Sequence, residues 1–512
     1  MTNIAEIKVA VVGLGPMGRG IARLFARAGA DVAVLDLDQE STARGIELTR
    51  SEAEDPPQLR AAGSIEDALD GAALLIEAIV ESPDAKAALL AKIRAVASPE
   101  LIVASNTSSL SIGELGASYG EASHVVGMHF FNPPERMRLV EVVRGPHTSL
   151  DVLEVVQLWV QELGKTAVLC EDSPNFIVNR VCRPLYYEAQ LLATQGVAPA
   201  SIDAIARGAL GHRMGPLELL DFVGLHTHLG SSETALREFG DPRYRPIPRT
   251  RALVRAGATG RAAGHGWYDH TSAKASEQVT AAVRQTERSG SRISILGPGR
   301  TLHLTNRLLR EVSEPDLTLA LYSAPSSCSA EDTDAVRDLV LRGARVVVDS
   351  SHPGWIDELP PGVGWIRLHT LQEAPFAEVV RDREADIVEP PAVQEVLNAI
   401  GCQSVTVPAL PGLIADRLMH TVVNEALLVV EEGTADADAV DTAMRLGMNH
   451  PLGPFGYLER TGTVPVLESL RGMLDAFGDP RYRPTQLLVR RAASERRRGV
   501  PSLTDRSLRL PI

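Results

Sequence analysis

The heptapeptide GDPRYRP occurs twice in this chain, beginning at Gly240 and again at Gly478, 238 residues later. Longer matches keep that spacing to within one residue. SIDAIARGALGHRMGP from Ser201 pairs with AVDTAMRLGMNHPLGP from Ala439, SPNFIVNR from Ser173 with LPGLIADR from Leu410, and LVEVVRG from Leu139 with FAEVVRD from Phe376. Collinear matches at one offset mark an internal duplication. A chain of 512 residues also exceeds what one hydrophobic core can organise. Two related halves are therefore expected.

Each half has a distinct texture. Up to about residue 171, short apolar runs (IKVAVVG, VAVLD, ALLIEAIVE, LIVASN, HVVGMHF) alternate with amphipathic stretches, the pattern of a doubly wound and mainly parallel α/β sheet. From there to about residue 270 the apolar period is helical. The expected organisation is an α/β Rossmann domain over residues 1–171 and an all-helical domain over 172–270. A polar linker or solvated helix comes next, then a degenerate Rossmann-like segment over 291–407 and a second helical domain over 408–512.

The strand–turn–helix VAVVGLGPMGRGIARLFARAGADVAVLD carries Gly13, Gly15 and Gly18 as GxGxxG, with Asp36 closing the second strand. In that context the motif is a dinucleotide fingerprint. Gly13 makes the tight turn, Gly15 admits a pyrophosphate, and Gly18 allows close helix packing. Pro16 and Met17 open the helix whose free N–H groups would receive the phosphates. Asp36 would accept hydrogen bonds from a ribose and repel a 2′-phosphate, so NAD is the expected cofactor. In the copy, GPGRTL keeps Gly297 and Gly299 but has Leu302 in place of the third glycine. One NAD per chain follows, in the first half.

Composition narrows the partners. A net charge of −14 argues against nucleic acid and anionic membrane as partners. The four cysteines show no metal-ligand spacing, so no metal is expected. No apolar run nears the roughly 20 residues that cross a bilayer, and the N-terminus lacks a signal-peptide pattern. The chain is expected to be cytoplasmic.

Glu141 sits inside the apolar run LVEVV, where a carboxylate is costly without partners. His129 ends the strand HVVGMHF, at the sheet edge where open α/β folds bind ligands. An imidazole suits removal of a hydroxyl proton, and a glutamate on its second nitrogen would fix the tautomer and stabilise the imidazolium.

The motifs SNTSSLSI, HFFNP, LVEVV, PNFIVNR and MGPLELLD occur in the order seen in 3-hydroxyacyl-CoA dehydrogenases, and the chain resembles that family over residues 5 to about 270 and again, more loosely, over 408–495. Its long form resembles the bacterial enzymes of phenylacetate degradation. The resemblance implies NAD-dependent oxidation of an L-3-hydroxyacyl-CoA, of the 3-hydroxybutyryl or 3-hydroxyadipyl type, with His129 as base and Glu141 as its partner. Ser108 and Asn179 match the residues that hold the substrate 3-oxygen, Asn106 matches the one facing the nicotinamide, and Glu81 and Lys86 match contacts near the cofactor and substrate. A homodimer, or a pseudo-dimer within one chain, is also implied.

Other readings remain open at this point. His129 could be a core histidine, Ser108 and Ser109 a helix cap, Asn179 a capping or interdomain residue, and Lys86 a solvated charge. The stretch between Asp36 and Glu81 has room for one helix, a short loop and the third strand, ALLIEAIVE, where many relatives insert a helical hairpin. PNF also stands where many have PGF. The same chemistry on a non-CoA 3-hydroxy acid is therefore an alternative, and a non-catalytic NAD-binding scaffold is a second. In the second half, His369 and Glu378 are nine apart rather than twelve, Asp416 replaces Asn179, and the glutamate is expected to lack a matching histidine. That half is expected to be structural.

Overall fold

The structure, a computed structural model, describes residues 3–52, 58–272, 275–286, 289, 293–296, 318–323, 329–350, 359–381 and 391–498. It forms two compact units, residues 1–181 with 429–449, and residues 182–428 with 450–512. The compact units therefore do not coincide with the repeats.

In the first unit an eight-stranded sheet has the order β3-β2-β1-β4-β5-β6-β7-β8. Its strands are β1 (Lys8–Val12), β2 (Asp31–Leu35), β3 (Arg60–Ala61), β4 (Ala72–Glu77), β5 (Ile102–Ser105), β6 (Val125–Phe130), β7 (Leu139–Arg144) and β8 (Thr166–Glu171). All pairs are parallel except β6 with β7. The central strands are near-continuous Val, Ile, Leu and Ala because helices cover both faces of a parallel sheet. Their side chains join Ile21, Phe25, Val156 and Trp159 in one core cluster. Strand order reverses across β1 and β4, which is where ligands of such folds sit.

Between Asp36 and Glu81 the chain forms the helix Gln39–Ser51, then β3 and a five-residue helix, Ile65–Leu69, capped by Ser64. The last two elements were not expected. A strand of two residues carries no periodicity, and one turn of helix is too short to show its own. No helical hairpin is present there among the described residues.

The unit is completed from far along the chain. Helix Ala437–Gly447 packs on β7, β8 and the short helix Val178–Val181. The backbone N–H of Glu171 donates to the carbonyl of Thr434 at 2.9 Å.

The second unit contains a six-stranded sheet in the order β14-β13-β12-β11-β10-β9. These strands are β9 (Ser294–Leu296), β10 (Leu319–Ser323), β11 (Arg345–Asp349), β12 (Gly364–His369), β13 (Phe376–Arg381) and β14 (Gln403–Pro408). Only β12 and β13 are antiparallel. Matched by pairing, β9 and β10–β14 correspond to β1 and β4–β8. The strand that carries Asp36 in the first half has no counterpart among the described residues, and Gly297, Gly299 and Leu302 lie outside them. Helix Pro199–Gly208, the repeat of Ala437–Gly447, packs on β13 and β14 of this sheet. Each sheet is thus covered by a helix from the other half of the sequence. The expected linker contributes the helix Ala275–Ala281, and Arg284 then pairs with the edge strand through Ser404.

The helical segments of both halves also meet within this unit, and the repeated heptapeptide is what joins them. The Tyr244 hydroxyl donates to Glu425 at 2.5 Å and that of Tyr482 to Glu188 at 3.0 Å. Arg483 reaches Asp241 at 2.5 Å and Arg245 reaches Asp479 at 3.4 Å. His212 and His450, 238 residues apart, stack with ring centroids 4.1 Å apart and planes 13° from parallel. Burial pushes His212 down to about 4, and burial followed by the neighbouring His212 holds His450 well below its ordinary value. Both rings are neutral in the fold, whereas in the unfolded chain each takes up a proton near pH 6.5. Their contribution is fully present above pH 6.5 and is lost as pH falls from 6.5 towards 4. The melting midpoint should therefore drop between pH 7 and pH 5, and drop less steeply in a His212→Phe/His450→Phe variant. An unchanged slope in that variant would remove the pair as the cause.

Candidate active site

The glycine turn has the geometry of a phosphate cradle. Gly13 has φ +93°, and a Cβ there would lie 2.8 Å from the carbonyl group of Ala78. A Cβ on Gly18 would sit 1.8 Å from the Gly13 carbonyl oxygen. At Gly15, by contrast, nothing lies within 4 Å. Gly15 caps the helix Pro16–Arg27 without a side-chain hydrogen bond, leaving its first N–H groups for an anion. Asp36 follows β2, and its carboxylate accepts from the Leu14 and Leu37 N–H groups at 2.8 and 2.7 Å. The residues present fit a dinucleotide: open space where pyrophosphate would lie, closed contacts elsewhere.

His129 and Glu141 are directly opposed across the antiparallel pair β6–β7. The His129 Nδ1 and Glu141 Oε2 atoms are 2.6 Å apart, with Glu141 fully buried. The second carboxylate oxygen accepts from the backbone N–H groups of Ile177 and Val178 at 3.2 and 2.8 Å. The rings of Phe131 and Phe176 lie 4.5 and 5.8 Å from the imidazole. A buried carboxylate with three partners is satisfied, which explains why LVEVV tolerates it. With Nδ1 engaged, Nε2 is the nitrogen available for a substrate proton.

Asn179 follows immediately in the helix Val178–Val181 and is half-buried. The turn before it explains PNF. Asn175 and Phe176 have φ of 65° and 52°, and Asn is the residue other than Gly that tolerates the left-handed region best. In the copy the same positions are Gly412 and Leu413, with φ of 76° and 50°. The change from Gly to Asn therefore leaves the turn intact.

Asn106 extends from β5, and its side-chain oxygen accepts from the Phe130 N–H at 2.9 Å, bracing the residue after His129. Ser108 and Ser109 gather on Glu81. One carboxylate oxygen of Glu81 receives Thr107 Oγ1 at 2.7 Å, the Ser108 N–H at 2.9 Å, and the Ser108 and Ser109 hydroxyls at 3.3 and 3.2 Å. The helix that follows is capped by Ser111, so Ser108 and Ser109 are not its cap. Burial pushes the Glu81 carboxyl up, but Lys86 and these donors outweigh it and hold it below the usual value.

Lys86 is not a solvated charge. It is 1% exposed, and its ammonium lies 2.8 Å from both oxygens of Glu77 and 3.4 Å from Glu81. Glu77, which also receives the Ser105 hydroxyl, was not singled out from the sequence. The signal was there: ALLIEAIVE places Glu77 inside an apolar run, the same anomaly as Glu141. Lys165 is a second such residue. Its ammonium caps the carbonyls of Pro134, Glu135 and Met137 at 2.6, 3.1 and 2.8 Å and so holds the loop between β6 and β7.

The family models for 3-hydroxyacyl-CoA dehydrogenases match this chain twice over, the NAD-binding domain at residues 8–173 and the C-terminal domain at residues 176–270 and 412–500. The chain belongs to the 3-hydroxyacyl-CoA dehydrogenase family. It is 31% identical over 506 residues to the 3-hydroxyadipyl-CoA dehydrogenase of Escherichia coli, covering 95% of this chain and 98% of that protein. A probable 3-hydroxybutyryl-CoA dehydrogenase of Deinococcus radiodurans is 39% identical over 279 residues, 52% of this chain and 100% of the relative. Among solved structures, that of 3-hydroxybutyryl-CoA dehydrogenase from Escherichia coli superposes with a TM-score of 0.76 at 29% identity, over 96% and 99% of the two chains. This dehydrogenase is accordingly an NAD-dependent oxidoreductase.

The second half departs from the expectation in one respect. Glu378 does have a histidine partner: the His369 Nε2 is 2.9 Å from it, and Glu378 also accepts from the Ile414 and Ala415 N–H groups at 2.8 and 3.0 Å. Yet the residue directly opposite Glu378 is Arg367, so Arg367 is the counterpart of His129, and His369 reaches the glutamate diagonally. Asp349 accepts from the Leu368 N–H at 2.9 Å, as Asn106 does from Phe130. Asn106, His129 and Asn179 thus become Asp349, Arg367 and Asp416. Arg367 lies 2.8 Å from Asp416 and 3.6 Å from Asp349. Burial disfavours both charges of the closer pair, but Arg367 outweighs it and holds the Asp416 carboxyl well below the usual range.

Two stability comparisons follow. Glu77→Gln leaves Lys86 without its buried partner and should cost about 3–5 kcal/mol, whereas Glu81→Gln, at a half-exposed position, should cost about 1 kcal/mol or less; equal losses in denaturant titrations would contradict this. Arg367→Met strands two buried carboxylates and should melt lower than Arg367→Met/Asp416→Asn. A double variant no more stable than the single one would show that the charges are not compensating each other.

Proposed function

We propose that the chain oxidises an L-3-hydroxyacyl-CoA, of the 3-hydroxybutyryl or 3-hydroxyadipyl kind, to the 3-oxoacyl-CoA in the cytoplasm, with the first half as the working site. The observation that carries the mechanism is the buried His129–Glu141 pair at 2.6 Å, with Glu141 already held by two backbone N–H groups. His129 Nε2 takes the proton of the 3-hydroxyl. Glu141 fixes the ring in the tautomer that leaves Nε2 free, and it compensates the imidazolium as the proton arrives. Ser108 and Asn179 donate to the substrate oxygen, and Asn106 orients the nicotinamide. NAD bound along Gly13, Gly15, Pro16, Met17, Gly18 and Asp36 supplies the acceptor for the hydride leaving the same carbon. Glu81 holds the Thr107–Ser109 loop beside the cofactor and substrate, and Lys86 compensates the charge of Glu81 from within.

The four segments at 1–171, 172–270, 291–407 and 408–512 serve as two copies of one enzyme, of which the second has become a scaffold. The chain acts as its own pseudo-dimer, a reading supported by the reciprocal GDPRYRP contacts between helical segments of the second unit.

The test is NADH formation with 3-hydroxybutyryl-CoA, 3-hydroxyadipyl-CoA and free 3-hydroxy acids. Turnover of the thioesters is expected, and His129→Ala should lose roughly 10²–10⁴-fold in kcat. Oxidation of the free acids alone would replace the CoA reading. No turnover at all would leave an NAD-binding scaffold.

A further inference from the structure

The second half has exchanged its own catalytic positions for an ion-paired cluster, yet one of its helices is part of the catalytic unit. Helix Ala437–Gly447 touches that unit at a sensitive place. A Cβ on Gly447 would lie 2.9 Å from Val178 Cγ2 and 3.0 Å from Leu139 Cδ2. Leu139 begins the strand that carries Glu141. Val178 donates its N–H to Glu141 at 2.8 Å and is followed directly by Asn179. Three residues along the same short helix, counting Val178 as the first, the fully buried Arg180 guanidinium lies 2.7 Å from Glu432, whose side chain is 43% exposed. Contact of this kind leaves little slack: a methyl group on Gly447 presses on the side chain of Val178, the residue whose N–H holds Glu141.

We propose that Gly447 and Glu432, both from the second half, are positioning residues for the oxidation site of the first. They set the helix Val178–Val181, which sets Glu141 and through it the imidazole of His129. This inference rests on the roles assigned above to His129 and Glu141. The opposite helix gives the same picture from the other side. On Pro199–Gly208 a Cβ at Gly208 would fall 2.2 Å from the ring of Phe376, the counterpart of Leu139 in the repeat. Both sheets are pressed at the same strand by a helix from the other half, but only one of them bears a histidine opposite its glutamate. A displacement of about 1 Å at a reacting group can cost on the order of 10²-fold in rate, so a shift of a few tenths of an ångström suffices for a smaller effect.

The experiment uses the full chain and compares wild type, Gly447→Ala, Gly447→Ala/Val178→Ala, Glu432→Gln and His129→Ala. Gly447→Ala is expected to lose roughly 10-fold in kcat while its KM for NAD stays within twofold, because the glycine turn is far along the strand order. Truncating Val178 in the same chain removes both of its methyl groups, leaving only Leu139 Cδ2 at 3.0 Å, and should restore most of the loss. A general loss of stability would not be repaired by deleting a core valine, so failure of that rescue overturns the inference, as does a folded Gly447→Ala with wild-type kcat. If Gly447→Ala does not fold, Glu432→Gln decides: several-fold lower kcat supports the proposal and an unchanged kcat overturns it. Wild type and His129→Ala keep the two questions apart. If wild type is inactive, or His129→Ala is as active as wild type, the assigned function fails; if those controls behave and the Gly447 and Glu432 variants are silent, the positioning role alone fails.

Discussion

The carboxylate of Glu141 is the interaction on which the site depends. One oxygen meets the imidazole across an antiparallel strand pair, and the other receives two N–H groups from the turn into the next helix. A buried carboxylate is tolerable only when its lone pairs are occupied. The same requirement therefore fixes three things at once: the tautomer of His129, the left-handed turn at Asn175 and Phe176, and the placement of the helix that presents Asn179. Burial makes the arrangement rigid, since none of these groups can fall back on water.

The copy shows what happens when that constraint is kept and the chemistry is not. Glu378 retains both backbone donors, so the scaffold around the glutamate has been preserved. Around it, two amides have become aspartates and the histidine an arginine. Any one of these changes alone would bury an unpaired charge, which is far more costly than burying a pair. Together they form the cluster of Asp349, Arg367 and Asp416, in which a guanidinium stands where a proton acceptor would be needed. Arginine cannot act as a base near neutral pH, so this arrangement is closed to the reaction.

Much of this was legible in the sequence. The glycine turn, the alternation of strands with helices and the His129–Glu141 pair each leave a local signature, because period, turn chemistry and a misplaced polar residue are visible without coordinates. Three features were not. Chain distance from Glu378 points to His369, but strand register decides which side chains face each other, and it puts Arg367 opposite the glutamate. Glu77 lies inside an apolar run that Glu81 ends, and although a buried carboxylate is legible there, its partner Lys86 is not, because a linear reading does not show which way the lysine turns. The exchange of helices between the two sheets was invisible as well. Duplication predicts what each segment looks like, and it is silent on which copy it will pack against.

That exchange has a bearing on how the protein is made. The residues that complete the sheet bearing His129 leave the ribosome some 250 residues after the sheet itself, since the first stretch ends at Val181 and the second begins at Val429. At translation rates of about 5–20 residues per second, the nascent chain carries an unfinished α/β layer for roughly 10–50 seconds. During that interval the faces of β7 and β8 that later receive Ala437–Gly447 are bare apolar surface. Contacts so distant in sequence are closed last, which makes this enzyme a natural client for whatever shields exposed strands during synthesis.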